Sequence, residues 1–200
     1  MDVWKNEYGC INHAQVSDFL SGQRMVADDV VDVFCLMLNE SLRKTPSVYK
    51  RQGIATRPQA FQLSKLKDDN KSLINLMNNS LSVYGQVEVV LIPIIADNHY
   101  HFLVLDKEKK EYLHFSSIAQ KKYDDAARDM RMVFEKCLNI IVKNEEPKSC
   151  SLTYVHKCPQ QVDGASCSLY LMRLMEQILN REELSLDVND IPCLRYQYAA

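Results

Sequence analysis

Residues 86–117 constrain the fold more than any other stretch, because they hold three strand-like runs joined by turns too short to contain anything else. Residues 86–96 (QVEVVLIPIIA) are dense in Val and Ile and read as a mostly buried strand. They run into residues 99–106 (HYHFLVLD), a second strand. The charged residues 107–110 make a turn, and residues 111–117 (EYLHFSS) return as a third strand. Apolar residues at helical spacing flank this block. Residues 28–43 place Val30, Val31, Phe34, Leu38 and Leu42 on one face, with Pro46 beyond the end. Residues 124–144 carry Met130, Val133, Phe134, Cys137 and Ile141, and a third helix from about Ser166 to Asn180 carries Leu169, Leu171, Leu174, Met175 and Leu179. Residues 66–80 read as a loop and a short helix, and residues 151–157 as a strand. The expected class is α+β, a central mixed or antiparallel sheet flanked by helices. Two hundred residues without repeats or a linker suit one domain over 1–200. Residues 196–200 read as the opening of an apolar helix, so the chain is readable as a fragment.

The chemistry concentrates in residues 158–170 (CPQQVDGASCSLY). Cys167 opens the third helix, where the positive end of the macrodipole lowers a thiol pKa. Gln161 stands six residues earlier, and its side-chain NH2 is the type of donor that holds an oxyanion. The plainer alternative is a turn at Asp163-Gly164 followed by a helix with one buried free cysteine. The upstream strands favour the chemical reading. A histidine on a strand beside a helix-borne cysteine is how papain-like thiol proteases assemble base and nucleophile. If Asp106 faces Glu111 across the turn, His101 lies opposite Ser116 and His99 is its diagonal neighbour, so register decides between the two histidines. His114 reads as an ordinary strand histidine. Cys150, His156, Cys158 and Cys167 lack the paired spacing of a zinc site, so no metal or other cofactor is expected.

Taken together, His99-Tyr100, Asp106, Ser116-Ser117, Gln161 and Cys167 resemble the catalytic half of the ubiquitin-like-protein proteases, the cysteine peptidases that process and remove SUMO and related modifiers. Residues 25–34 (MVADDVVDVF) resemble that family's Trp-Leu-Asn-Asp helix opening, so the likeness runs from about residue 20 to the end. The wording CPQQVDGASC followed by LYLMRLME is similar to the large plant branch. The resemblance implies a papain-like fold with its nucleophile at a helix N-terminus. It implies Cys167 as nucleophile, His99 as base, Ser116 in the third triad position and Gln161 at the oxyanion. Met25 and Tyr100 then stand where the family has tryptophans that roof a channel for a Gly-Gly tail, and Asp28 is a candidate contact to the modifier.

The departures from that pattern carry their own expectations. Ser116 replaces an Asp or Asn and brings no charge to an imidazolium, which predicts reduced activity. Ser168 replaces a glycine, and its side chain is expected to crowd the approach to the scissile carbonyl. Ser166 replaces an Asp but remains a good N-cap residue. Three functions follow: hydrolysis after the C-terminal glycine of a ubiquitin-like protein, binding of such a protein by an inactive domain, and acyl transfer by the same Cys-His pair. The formal net charge of -2 gives no argument for nucleic acid or an anionic membrane, and residues 89–96 are too short to span a bilayer. Seven cysteines with no secretory signal read as reduced intracellular thiols, and the resemblance suggests the nucleus or cytoplasm.

Overall fold

The computed structural model describes residues 2–6, 9–65, 70–142 and 150–199. A hairpin of β1 (Asp2–Asn6) and β2 (Gly9–Asn12) leads into α1 (His13–Ser21) and α2 (Asp28–Lys44). After β3 (Gly53–Ala55) come α3 (Gln59–Lys65) and α4 (Asn70–Leu81), then β4 (Val89–Ala96), β5 (His99–Asp106) and β6 (Glu111–Ser116). The chain continues through α5 (Lys121–Ile141), β7 (Ser151–Tyr154), α6 (Cys167–Asn180) and α7 (Ile191–Ala199). The main sheet has the order β3-β4-β5-β6-β7. Its centre is antiparallel, while β3 joins β4 and β7 joins β6 in parallel, so the sheet is mixed as expected.

Alternation along β5 divides the core into two layers. Tyr100, Phe102 and Val104 pack with α2 and α6, whereas Leu103 and Leu105 pack with α4 and α5. By the same parity His99 and His101 belong to the α5 side, together with His114 and Tyr112 on β6. The β4–β5 turn sets where that pattern starts. Asp97 and Asn98 both take positive φ, 49° and 57°, the conformation of a tight hairpin loop that Asp and Asn tolerate. His99 is therefore the first residue of β5, at the same end of the sheet as the N-terminus of α6.

The strand and helix expectations hold with small shifts. β5 spans the expected residues, α2 ends one residue later, and α5 starts three residues earlier; its expected end at 143–144 lies outside the described residues, as do 66–69 of the expected loop. The apolar face of α2 is rotated, because Val30 and Phe34 are only partly buried while Val33, Cys35 and Asp32 are buried. Asp32 is tolerated there because Arg57 Nη2 donates to it at 2.7 Å. The hairpin β1–β2, α1, the short edge strand β3 and α3 carry little periodicity and are additions to the sequence reading. β3 is closed as an edge: Asn39 donates from Nδ2 to the Ala55 carbonyl at 2.8 Å and accepts the Ala55 N–H at 2.7 Å. Gly53 is needed for close approach, since a Cβ there would lie 2.4 Å from Leu179 Cδ2 of α6. Among the described residues no helix is long and apolar enough to cross a membrane.

Candidate active site

The register is the one the turn predicts: Asp106 faces Glu111 and His101 faces Ser116. The side chains nevertheless pair diagonally. His99 Nε2 lies 3.0 Å from Ser116 Oγ, and His101 turns away to His114. Ser116 donates its hydroxyl hydrogen to the Ile118 carbonyl at 2.7 Å. A hydroxyl has one hydrogen, so towards His99 it must accept, and the His99 ring must carry its hydrogen on Nε2. This leaves Nδ1 with the lone pair that a general base needs. Ser116 is thus firmly oriented by its own backbone, although it supplies no charge. Burial, with smaller contributions from His114 and Lys122, lowers the His99 pKa to about 4, so the ring is neutral at physiological pH.

Cys167 is the first residue of α6 and is 2% exposed. Burial raises its thiol pKa, and the backbone N–H groups of Tyr100, Ser168 and Cys167 itself oppose that rise. Contact with the Tyr100 N–H places the sulfur beside β5 at the residue following His99. Among the described residues no hydrogen bond joins Cys167 to His99. Burial thus favours the neutral form of both the Cys167 thiol and the His99 ring.

The turn before α6 is braced by three side chains. Gln161 accepts from Ser117 Oγ at 2.7 Å, donates its backbone N–H to the Ser117 carbonyl at 3.0 Å, and donates from Nε2 to the Asp163 carbonyl at 2.6 Å. An amide NH2 has two hydrogens, so one donor remains for an oxyanion. Asp163 Oδ1 accepts the N–H groups of Ala165 and Ser166, each at 2.8 Å, and Oδ2 accepts the Ser166 hydroxyl at 2.8 Å. Ser166 occupies the N-cap position, but its hydroxyl donates backwards and caps nothing in α6. Asp163 takes over that loop and, being an anion, also pushes the Cys167 thiol up. Gln160, which the sequence reading passed over, donates to the carbonyls of Ser116 and Cys158 at 3.0 and 2.9 Å and accepts the Ala119 N–H at 3.1 Å. It ties the end of β6 to the cysteine turn. Its position in the turn beside Gln161 was the available signal.

This arrangement coincides with a match to the model of the Ulp1 protease family, C-terminal catalytic domain, over residues 24–200. The chain belongs to the Ulp1 protease family. It is 20% identical over 182 residues to Sentrin-specific protease 2 of Rattus norvegicus and likewise of Homo sapiens, covering 88% of this chain. The chain spans 29% of the length of those relatives. The fold resembles that of the C-terminal Ulp1 protease domain in complex with Smt3, the yeast orthologue of SUMO, with a TM-score of 0.78 and 16% identity over 100% of this chain and 85% of that one. Xanthomonas campestris effector protein XopD bound to ubiquitin matches at a TM-score of 0.54 and 16% identity, over 98% and 97% of the two chains.

Within this Ulp1-family frame the remaining expected residues sit as follows. Tyr100 is buried, and its hydroxyl donates to Asp28 Oδ1 at 2.5 Å. Asp28 accepts from Gln62 Nε2 at 3.1 Å through its other oxygen, so both carboxylate oxygens are already engaged. Met25 is partly buried against the same core as Tyr100 and Cys167. Ser168 is fully buried and its Oγ has no hydrogen-bond partner among the described residues, so the hydroxyl points into the protein and does not crowd the approach to Cys167. No group of His, Cys, Asp and Glu able to hold a metal occurs among the described residues.

Proposed function

We propose that residues 1–200 form one catalytic unit that hydrolyses the peptide or isopeptide bond after the C-terminal glycine of a SUMO-type ubiquitin-like protein. Cys167 Sγ attacks the glycine carbonyl while His99 Nδ1 takes the thiol proton. The same proton goes to the leaving amine, and water then releases the acyl group from sulfur. Ser116 Oγ holds the His99 Nε2–H, and the Gln161 amide with the Cys167 backbone N–H receives the oxyanion. Met25 and Asp28 would form the wall over which the C-terminal tail lies, with the buried Tyr100 holding Asp28 from beneath. The observation that carries this reading is the His99–Ser116 contact, which sets the His99 tautomer one residue before Tyr100, whose backbone N–H meets the Cys167 thiol at the start of α6. The reading places the domain in a reducing intracellular compartment, nucleus or cytoplasm, where its free cysteines stay reduced.

A second reading is a domain that binds a ubiquitin-like protein without cleaving it, and the absence of a carboxylate on His99 is the observation in its favour. Turnover of a SUMO C-terminal fluorogenic conjugate separates the two. The wild type should turn over slowly, and Ser116→Asp should raise kcat/KM by about tenfold or more, because a charge then faces the imidazolium as it forms. Binding without turnover in both proteins would establish the second reading.

A further inference from the structure

Behind His99 lies a buried chain of hydrogen bonds that the proposed mechanism leaves unused. His101 Nδ1 lies 2.8 Å from His114 Nε2, and His114 Nδ1 lies 3.0 Å from Asp124 Oδ1. Both histidines are buried, while the Asp124 side chain, in the first turn of α5, is 31% exposed. A cavity of about 240 Å³ lined by His114, Ser116, Asp124, Tyr154 and His156 opens that end to solvent. A carboxylate only accepts, so His114 must carry its hydrogen on Nδ1 and accept at Nε2. His101 must then donate from Nδ1, which leaves its Nε2 as a bare lone pair. That atom is buried without a hydrogen-bond partner among the described residues. The His101 ring stacks parallel to His99, with centroids 5.9 Å apart and planes at 8°, and Tyr123 packs on both rings at 4.3 and 5.3 Å.

We infer that Asp124, His114 and His101 are positioning residues that replace the triad carboxylate electrostatically. Resting on the reading of His99 as the base for Cys167, the chain carries the negative charge of Asp124 through two hydrogen-bonded imidazoles to the His101 ring, which stacks parallel to His99 with centroids 5.9 Å apart. Positive charge develops on His99 when the proton moves from Cys167 Sγ to His99 Nδ1, and no proton leaves the chain. His114 works against a charged His99 only when it is itself protonated, and the other groups facing His99 supply no negative charge. Ser116 is neutral, Tyr123 presents its ring, and Lys122 is cationic and paired with Asp97 at 3.1 Å. His156, beside His114, opposes the chain only when protonated.

Two measurements on the whole chain test this. Nitrogen-15 spectra at pH 7 should show Nδ1–H tautomers for His101 and His114 and Nε2–H for His99; an Nε2–H tautomer at His101 overturns the inference. Iodoacetamide alkylation of Cys167, read by peptide mass spectrometry across pH, should slow by about threefold or more at pH 7 in Asp124→Asn and in His101→Phe. Asp125→Asn, one residue along α5 and paired with Arg128, should leave it unchanged. No slowing in Asp124→Asn, or equal slowing in Asp125→Asn, contradicts the chain while leaving the base intact. Unchanged alkylation in His99→Ala removes the base and the inference together.

Discussion

At the residue scale, Ser116 shows how a weaker side chain can keep geometry while losing charge. Its hydroxyl donates to the Ile118 carbonyl and accepts from His99 in turn, so the ring proposed as the base is held without a charge beside it. Ser168 is the opposite case, a buried hydroxyl with no partner among the described residues. Ser168→Ala should therefore stabilise the fold by about 1 kcal/mol, the cost of an unsatisfied buried polar group, as read by urea unfolding. A loss of stability would mean that the hydroxyl does find a partner. Register alone leaves both His99 and His101 open in the sequence, and only the family resemblance points to His99; what the structure adds is that His99, not His101, reaches Ser116. The His101–His114–Asp124 chain was not legible, because it joins two strands to a helix whose start the pattern placed three residues late.

At the element scale, the cysteine helix is held in place from outside its own sequence. Arg195 on α7 is buried; it donates to the Phe19 carbonyl of α1 at 2.7 Å and to Ser166 Oγ at 3.4 Å, beside the first turn of α6. Phe19 and Gly22, the latter at φ 69°, wrap the guanidinium, so α1, α6 and α7 meet on this one cation. Arg195→Met should cost about 2 kcal/mol in urea unfolding and slow alkylation of Cys167, since it frees the loop that starts α6. Unchanged stability would show the cation to be dispensable. Residues 196–199 are readable as apolar helix, yet nothing in their pattern announces that the preceding arginine reaches the turn before α6. Long β4–β6 strands and the α6 run declare themselves by composition; α1 and β3 depend on tertiary partners such as Arg195 and Asn39.

For the whole molecule, the unusual feature is three buried neutral histidines on one face of the sheet. His99 and His114 are lowered to about 4, chiefly by burial, and His101 is lowered as well. Between pH 6.5 and 4 the unfolded chain binds these protons and the folded one does not, so stability falls as pH falls. Each of the first two contributes about 2 kcal/mol of loss on going to pH 5. Asp32, raised to about 6 by burial, works the other way with about 1 kcal/mol of relative gain, leaving a net loss of about 3 kcal/mol or more. Urea unfolding at pH 5 and pH 7 measures this difference, and equal stabilities would contradict the burial of the neutral rings. The account stands or falls on Cys167 and His99 acting together on a ubiquitin-like C-terminus. The most direct test is labelling of the chain by SUMO and ubiquitin carrying a thiol-reactive C-terminal group, in the wild type, Cys167→Ala, His99→Ala and His101→Ala. The account predicts a covalent adduct with SUMO that is lost in Cys167→Ala, strongly slowed in His99→Ala and only weakened in His101→Ala. An adduct that survives Cys167→Ala, or no adduct with the folded wild type, would contradict it.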